Sequence, residues 1–142
     1  SINLQRVNNI ILCSSIFIAD LCDGNSVSQK AVTMVKKEGE IVILQCTYST
    51  TGSYYYLYWF RHYSDKQPEF IIWKYSGSDN QDKGIGFGNR FTAHLQKSNS
   101  FISLSISELV VSDSAVYYCA FILTTVMDCN ARLLQKLPSL CT

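Results

Sequence analysis

IVILQCTY at Ile41–Tyr48, YYYLYWFR at Tyr54–Arg61 and DSAVYYCA at Asp113–Ala120 decide the fold of this chain. In the first stretch Val42, Leu44 and Cys46 share one parity, in the second Leu57 and Trp59 do, and in the third Tyr117 precedes Cys119 by two. Alternation with a period of two puts such residues on one face of a half-buried strand. Cys119 follows Cys46 by 73 residues, and Trp59 falls between them. Two inward-facing cysteines with an indole to pack on them describe a core shared by two facing sheets. A disulfide closing a loop of that length would contribute about 4 kcal/mol by restricting the unfolded chain.

The remaining numbers agree with one small domain in an oxidising compartment. A length of 142 residues suits a single domain. With 16% charged residues and a net charge of +1 the chain offers no field for a polyanion, so nucleic acid is not an expected partner. Of six cysteines, Cys13, Cys22, Cys129 and Cys141 lie outside the patterned body. No CxxC or CxxxC spacing and no paired histidines accompany them, so a zinc site is not expected. Cys46 and Cys119 are left as the pair inside the domain, which implies export.

Residues 1–24 read as a signal peptide or leader remnant. Arg6 is the sole charge before the apolar run Ile10–Ala19, and the small residues Cys22 and Gly24 suit cleavage before Asn25. The run is too short to span a membrane. From Val27 onward strand signals recur at sandwich spacing: an edge strand Val27–Met34, a turn at Lys36–Glu40, then Ile41–Tyr48 and Tyr54–Arg61. SDKQP at Ser64–Pro68 makes a hairpin back into Glu69–Tyr75, and Ser76–Gly88 reads as a long glycine-rich loop. Phe91–Gln96 and Phe101–Ile106 follow, with Leu104 on an inward face, and Ala115–Phe121 carries Cys119. The expected fold is all-β, a sandwich of two antiparallel sheets in Greek-key order.

Residues 25–121 resemble an immunoglobulin variable-type domain and, within that family, a T-cell receptor alpha or delta variable segment. The resemblance rests on CTY at 46–48, YLYWFR at 56–61, PEFII at 68–72, NRFTAHLQKSNSFISLSISEL at 89–109 and SDSAVYYCA at 112–120. It implies an inter-sheet disulfide Cys46–Cys119, a core tryptophan at Trp59, a tyrosine corner at Tyr117, and an ion pair Arg90–Asp113 at the base of the sandwich. An extra strand pair around Ser76–Gly88 is implied by the variable type.

Catalytic chemistry finds no support. His62 and His94 lie on different strands without a carboxylate partner, and a solvated or interface histidine explains each better. GIGFG at 84–88 has no following helix to make a phosphate cradle, and a flexible loop accounts for it. No N-x-S/T sequon is present. No enzyme activity, cofactor or metal is expected.

Aromatic residues crowd Tyr54–Tyr75. Those on Trp59's parity belong to the core, while Tyr58, Phe60 and His62 take the opposite parity and are expected to face outward, as an exposed aromatic strip does when it meets a partner. The resemblance implies pairing of this sheet with a second variable domain, of beta or gamma type, with Phe60, Pro68 and Tyr118 lining the contact. His62 departs from the glutamine usual there. The resemblance also places ligand contact in three loops at one end: Thr50, Thr51, Gly52, Ser53 and Tyr54 in the first, Ser76, Gly77, Ser78 and Asp79 in the second, and the stretch from Phe121 in the third. The implied ligand is peptide presented by a histocompatibility molecule, with no direct membrane contact by this segment. The competing reading is a non-rearranging variable-type innate receptor or adhesion domain.

Residues 122–142, ILTTVMDCNARLLQKLPSLCT, contain no glycine, hence no FGxG bulge of a joining segment and no proper last strand. They are expected to be a non-domain tail, with strand pairing confined to Ile122–Val126. Thr124-Thr125-Val126 can be encoded by ACCACAGTG, which contains the recombination heptamer CACAGTG. The tail is thus expected to be read-through past an unrearranged germline segment.

Overall fold

The computed structural model describes residues 9–14, 19–21, 25–28, 32–50 and 52–123, with side chains at 33–50 and 52–121. Among the described residues the strands are β1 (Asn9–Ser14), β2 (Ala19–Leu21), β3 (Asn25–Ser28), β4 (Val32–Lys37), β5 (Val42–Ser49), β6 (Tyr55–His62), β7 (Glu69–Tyr75), β8 (Gln81–Lys83), β9 (Phe91–Gln96), β10 (Phe101–Ile106) and β11 (Ala115–Leu123). They form a six-stranded sheet in the order β4-β1-β11-β6-β7-β8 and a five-stranded sheet in the order β2-β3-β5-β10-β9.

The alternation seen in the sequence becomes the inner face of each sheet. β5 buries Val42, Leu44, Cys46 and Tyr48 and turns Ile43, Gln45 and Thr47 outward. β10 pairs with it in antiparallel register, Ile102 opposite Cys46 and Leu104 opposite Leu44. In the other sheet β11 pairs with β6, Cys119 opposite Trp59 and Phe121 opposite Leu57. Leu44, Leu57, Trp59, Ile102, Leu104, Tyr117 and Phe121 fill the space between the sheets with almost no exposure. This is the β-sandwich expected from the pattern.

Turns sit where the backbone demands them. Gly39 takes a left-handed φ of 87° between β4 and β5, and the flanking strands close on Leu109 through Gly39 N–H to Leu109 O at 2.8 Å. Gly84 follows β8 so closely beside β7 that a Cβ there would lie 2.1 Å from the Phe70 carbonyl oxygen. Only glycine fits that approach.

The structure refines the sequence reading at four points. The expected edge strand Val27–Met34 is two strands: β3 pairs with β5 in one sheet and β4 with β1 in the other. Within the long loop Ser76–Gly88 lies β8, which pairs with β7 as the strand pair implied by the resemblance. The register between β6 and β7 shifts at Trp59/Phe60, so Ile71 and Ile72 are both buried where strict alternation would bury one. Parts of the expected leader also join the sheets. β1 runs antiparallel to β4 over all six residues and parallel to β11 at Leu12–Ser14 against Ala115–Tyr117, while β2 pairs with β3. An apolar run rich in isoleucine suits a strand as well as a leader, and hydropathy does not separate the two. β11 extends to Leu123, opposite Tyr55. The expected tail beyond it, residues 124–142, lies outside the described residues, as do Thr51 and the cleavage region at 22–24.

Candidate functional site

A brace across the sandwich ties the two sheets together. Cys46 of β5 and Cys119 of β11 form a disulfide with 6.5 Å between Cα atoms, and the Trp59 indole beside it is completely buried. Below, the Tyr117 hydroxyl donates to the Asp113 carbonyl oxygen at 2.6 Å. Arg90, leading into β9, grips Asp113 with two N–H groups, Nη1 to Oδ2 at 2.8 Å and Nη2 to Oδ1 at 3.1 Å. Its Nη1 also donates to the carbonyls of Ser107 and Glu108. Asp113 Oδ2 further accepts the Val110 N–H at 2.9 Å. The hydrogen bond to Asp113 raises the Arg90 pKa, which keeps the charge fixed.

Burial pushes the Tyr117 phenol well above its ordinary value, with the Asp113 charge adding to the effect. Tyr48 is raised likewise, by burial first and then by its hydrogen bond with the Tyr55 hydroxyl at 2.6 Å. Both folded values stand above the unfolded value of 10.0, so the stability gained by keeping these phenols neutral is complete below about pH 10 and lost as pH rises past it. Phenolate absorbance against pH is expected to show Tyr48 and Tyr117 ionising only together with unfolding. A folded protein with all nine tyrosines ionised would contradict this burial.

On the outer face of β6 and β7 the aromatic strip packs against itself. The rings of Tyr58 and Phe60 stack with centroids 6.0 Å apart, and Phe70 meets both, at 5.6 Å from Tyr58 and 6.3 Å from Phe60. Phe60 is only 7% exposed and Tyr118 is fully buried, so neither ring is openly accessible on the expected strip. The shifted register behind Phe60 and the bulk of Phe70 account for the first; for Tyr118, the His62 ring lies 6.4 Å away. Tyr58, His62 and Pro68 are half-buried and make up the accessible part of the strip. The His62 Nδ1 is buried with no hydrogen-bond partner among the described residues.

At the loop end, Gly52 N–H donates to Thr50 Oγ1 at 2.9 Å, Ser53 is exposed, and Tyr54 is 59% exposed and stacked on Tyr75. Gly77, Ser78 and Asp79 are exposed as the second loop requires. Ser76 is not: its Oγ accepts the Tyr55 N–H at 2.9 Å and reaches the Ser53 carbonyl at 3.4 Å, so it ties the two loops together from beneath. Phe121 is also placed otherwise than expected. Its ring lies between those of Tyr48 and Tyr55, at 5.8 and 5.0 Å, because β11 continues past it and keeps it on the inner face.

Sequence reasoning missed several contributors. Arg61 pairs with Glu69 at 2.7 Å across the β6–β7 hairpin, a contact that the symmetry of the hairpin about Asp65 would have revealed. Tyr63 donates from its hydroxyl to the Ser112 carbonyl. Trp73 meets Tyr56 edge-on at 5.3 Å, extending the aromatic face toward the loops. Lys97 Nζ donates to the Ser76 carbonyl at 2.7 Å, a contact between distant turns with no local sequence signal. No group of three or more His, Cys, Asp or Glu side chains gathers for a metal among the described residues, and no helix among them is long and apolar enough to cross a membrane.

Two sheets bridged by a disulfide over a tryptophan, with a tyrosine corner and a basal Arg–Asp pair, define an immunoglobulin V-set domain. The sequence profile described as "Immunoglobulin V-set domain" matches residues 29–131. Within that family the chain belongs to the T cell receptor alpha/delta variable segments. It is 33% identical over 96 residues to human "T cell receptor alpha variable 38-1", covering 68% of this chain and 79% of the relative. It is 37% identical over 97 residues to human "T cell receptor alpha variable 13-2", covering 68% and 80%. It is 34% identical over 95 residues to mouse "T-cell receptor alpha chain V region 2B4", covering 67% of each. V-set domains of this kind are receptor domains rather than enzymes.

Proposed function

We propose that the chain supplies the antigen-recognition half of a T cell receptor alpha or delta chain at the extracellular face of the plasma membrane. In this reading the outer face of the six-stranded sheet pairs with a second variable domain of beta or gamma type. The loop end, with Thr50–Tyr54 and Gly77–Asp79, then meets peptide presented by a histocompatibility molecule. The observation that carries the reading is the aromatic face of β6 and β7, whose accessible members Tyr58, Pro68 and His62 adjoin the buried Phe60 and Tyr118. Aromatic residues in such a setting are the usual anchors of protein–protein contact.

Co-refolding with a T cell receptor beta variable domain, followed by sedimentation velocity, tests the pairing. A one-to-one heterodimer is expected, and Tyr58→Ala should weaken it by roughly tenfold or more, the cost of losing an interface anchor. The variant's near-ultraviolet circular dichroism should match the parent's. A chain that stays monomeric with beta and gamma domains alike, at concentrations that would saturate a micromolar complex, would overturn the pairing.

A further inference from the structure

A polar cleft of about 220 Å³ opens between the edges of the two sheets, lined by Lys74 and Tyr75 of β7, the loop Ser76–Asp79, Leu95 of β9 and Lys97 in the following 3-10 turn. We propose that this cleft receives a carboxylate, the side chain of an Asp or Glu on the protein that the loop end recognises. The inference rests on the recognition reading above and adds the chemistry of one subsite.

Two ammonium groups line the cleft against one carboxylate, that of Asp79, leaving a local charge of +1 that a single anionic side chain neutralises. Lys97 is already positioned: one of its three N–H groups donates to the Ser76 carbonyl at 2.7 Å, and two remain. The carbonyl that holds it is a fixed point, because Ser76 is buried and bonded to Tyr55 and Ser53. Lys74 makes no ion pair or hydrogen bond among the described residues, so its donors are uncommitted. Ser78 Oγ accepts the Asn80 N–H at 3.2 Å, which leaves its hydroxyl hydrogen to donate.

Gly77 keeps the loop down against the rings beneath. A Cβ there would lie 2.7 Å from Tyr75 Cε1 and 2.9 Å from Tyr54 Cδ1. Charge-assisted hydrogen bonds from ammonium to carboxylate are among the stronger polar contacts, and a partly enclosed site screens them less than open water does. The two lysines offer point charges rather than a bidentate fork, and the local charge of +1 matches a monoanion better than a doubly charged phosphate. The chain's net charge of +1 gives a polyanion no further purchase.

The test uses the full chain and two probes, acetyl-glutamate amide and its uncharged isostere acetyl-glutamine amide, followed by amide NMR shifts. Glutamate should produce saturable shifts at Gly77, Ser78 and Lys97, with affinity on the order of millimolar that weakens as salt is added. Glutamine should not. The double variant Lys74→Gln/Lys97→Gln should bind glutamate about fivefold more weakly or worse, as expected for removal of partly exposed charges. Equal shifts from both probes, or unchanged affinity in the double variant, would overturn the proposal. Pairing with a beta variable domain, measured on the same samples, separates the two readings. A chain that pairs but ignores glutamate sinks the cleft alone, and one that binds glutamate but never pairs sinks the pairing.

Discussion

Trp59→Ala is expected to lower stability by roughly 3–5 kcal/mol, the usual cost of truncating a large buried aromatic side chain. The indole has no exposed surface, sits opposite Cys119 in the β6–β11 ladder and packs among Leu57, Leu104 and Tyr117 in one core. Removing it leaves a void that rigid neighbours on two sheets close only in part, because the disulfide holds β5 and β11 at a fixed separation. Against a typical total of roughly 5–15 kcal/mol, this loss takes most of the margin of a small domain. Each kcal/mol shifts the melting temperature by roughly 4 °C at this size, so the variant should melt about 10 °C lower or more, or fail to fold. Trp59→Phe, which keeps a ring in the space, should recover part of the loss. A Trp59→Ala protein melting within a few degrees of the parent would mean the core lies elsewhere.

What was legible in the sequence followed from strict period-two alternation. Val42, Leu44 and Cys46, and Ile102, Leu104 and Ile106, are inward because nothing interrupts the pleat in β5 or β10. The limits of β7, β9 and β10 agree with the reading because turn residues flank each strand. Parity failed where the register shifted. The irregularity at Trp59/Phe60 turns both Ile71 and Ile72 inward and leaves Phe60 buried, and no single-strand pattern announces a bulge that depends on two strands. The candidate site was legible where a motif has one structural use, as with Arg90 and Asp113, and illegible where loops fold under themselves. Ser76 looks like any loop serine until Tyr55 and Lys97 are seen to converge on it.

The apolar stretch before Asn25 shows another limit. Its composition fits a leader, yet the same β-branched residues make β1 a partner for both β4 and β11. Its hold on β11 spans three residues, against six on β4. Pairing of that kind depends on what else is available to the edge, which a one-dimensional pattern does not record.

Arg90→Met should destabilise the domain by about 3 kcal/mol, more than loss of the same bridge at an exposed site. Asp113 carries the reason: its side chain is 1% exposed, whereas that of Arg90 is 32% exposed. Methionine keeps much of the apolar stem but removes every donor, and with them the guanidinium whose Cζ lies 5.1 Å from the centroid of the Phe91 ring. The carboxylate would then remain buried with the Val110 N–H as its surviving donor among the described residues, and the Ser107 and Glu108 carbonyls would each lose a partner. A buried charge stripped of its counter-ion costs more than the pair contributed, since desolvation is no longer offset. The double variant Arg90→Met/Asp113→Asn should therefore be more stable than Arg90→Met alone, as asparagine can still accept from Val110 without a charge. Urea denaturation with unchanged m-values would report these differences directly. If Arg90→Met falls within about 1 kcal/mol of the parent, the bridge behaves like an ordinary surface pair, and the base of the sandwich is then held by Tyr117 and Leu109 rather than by charge.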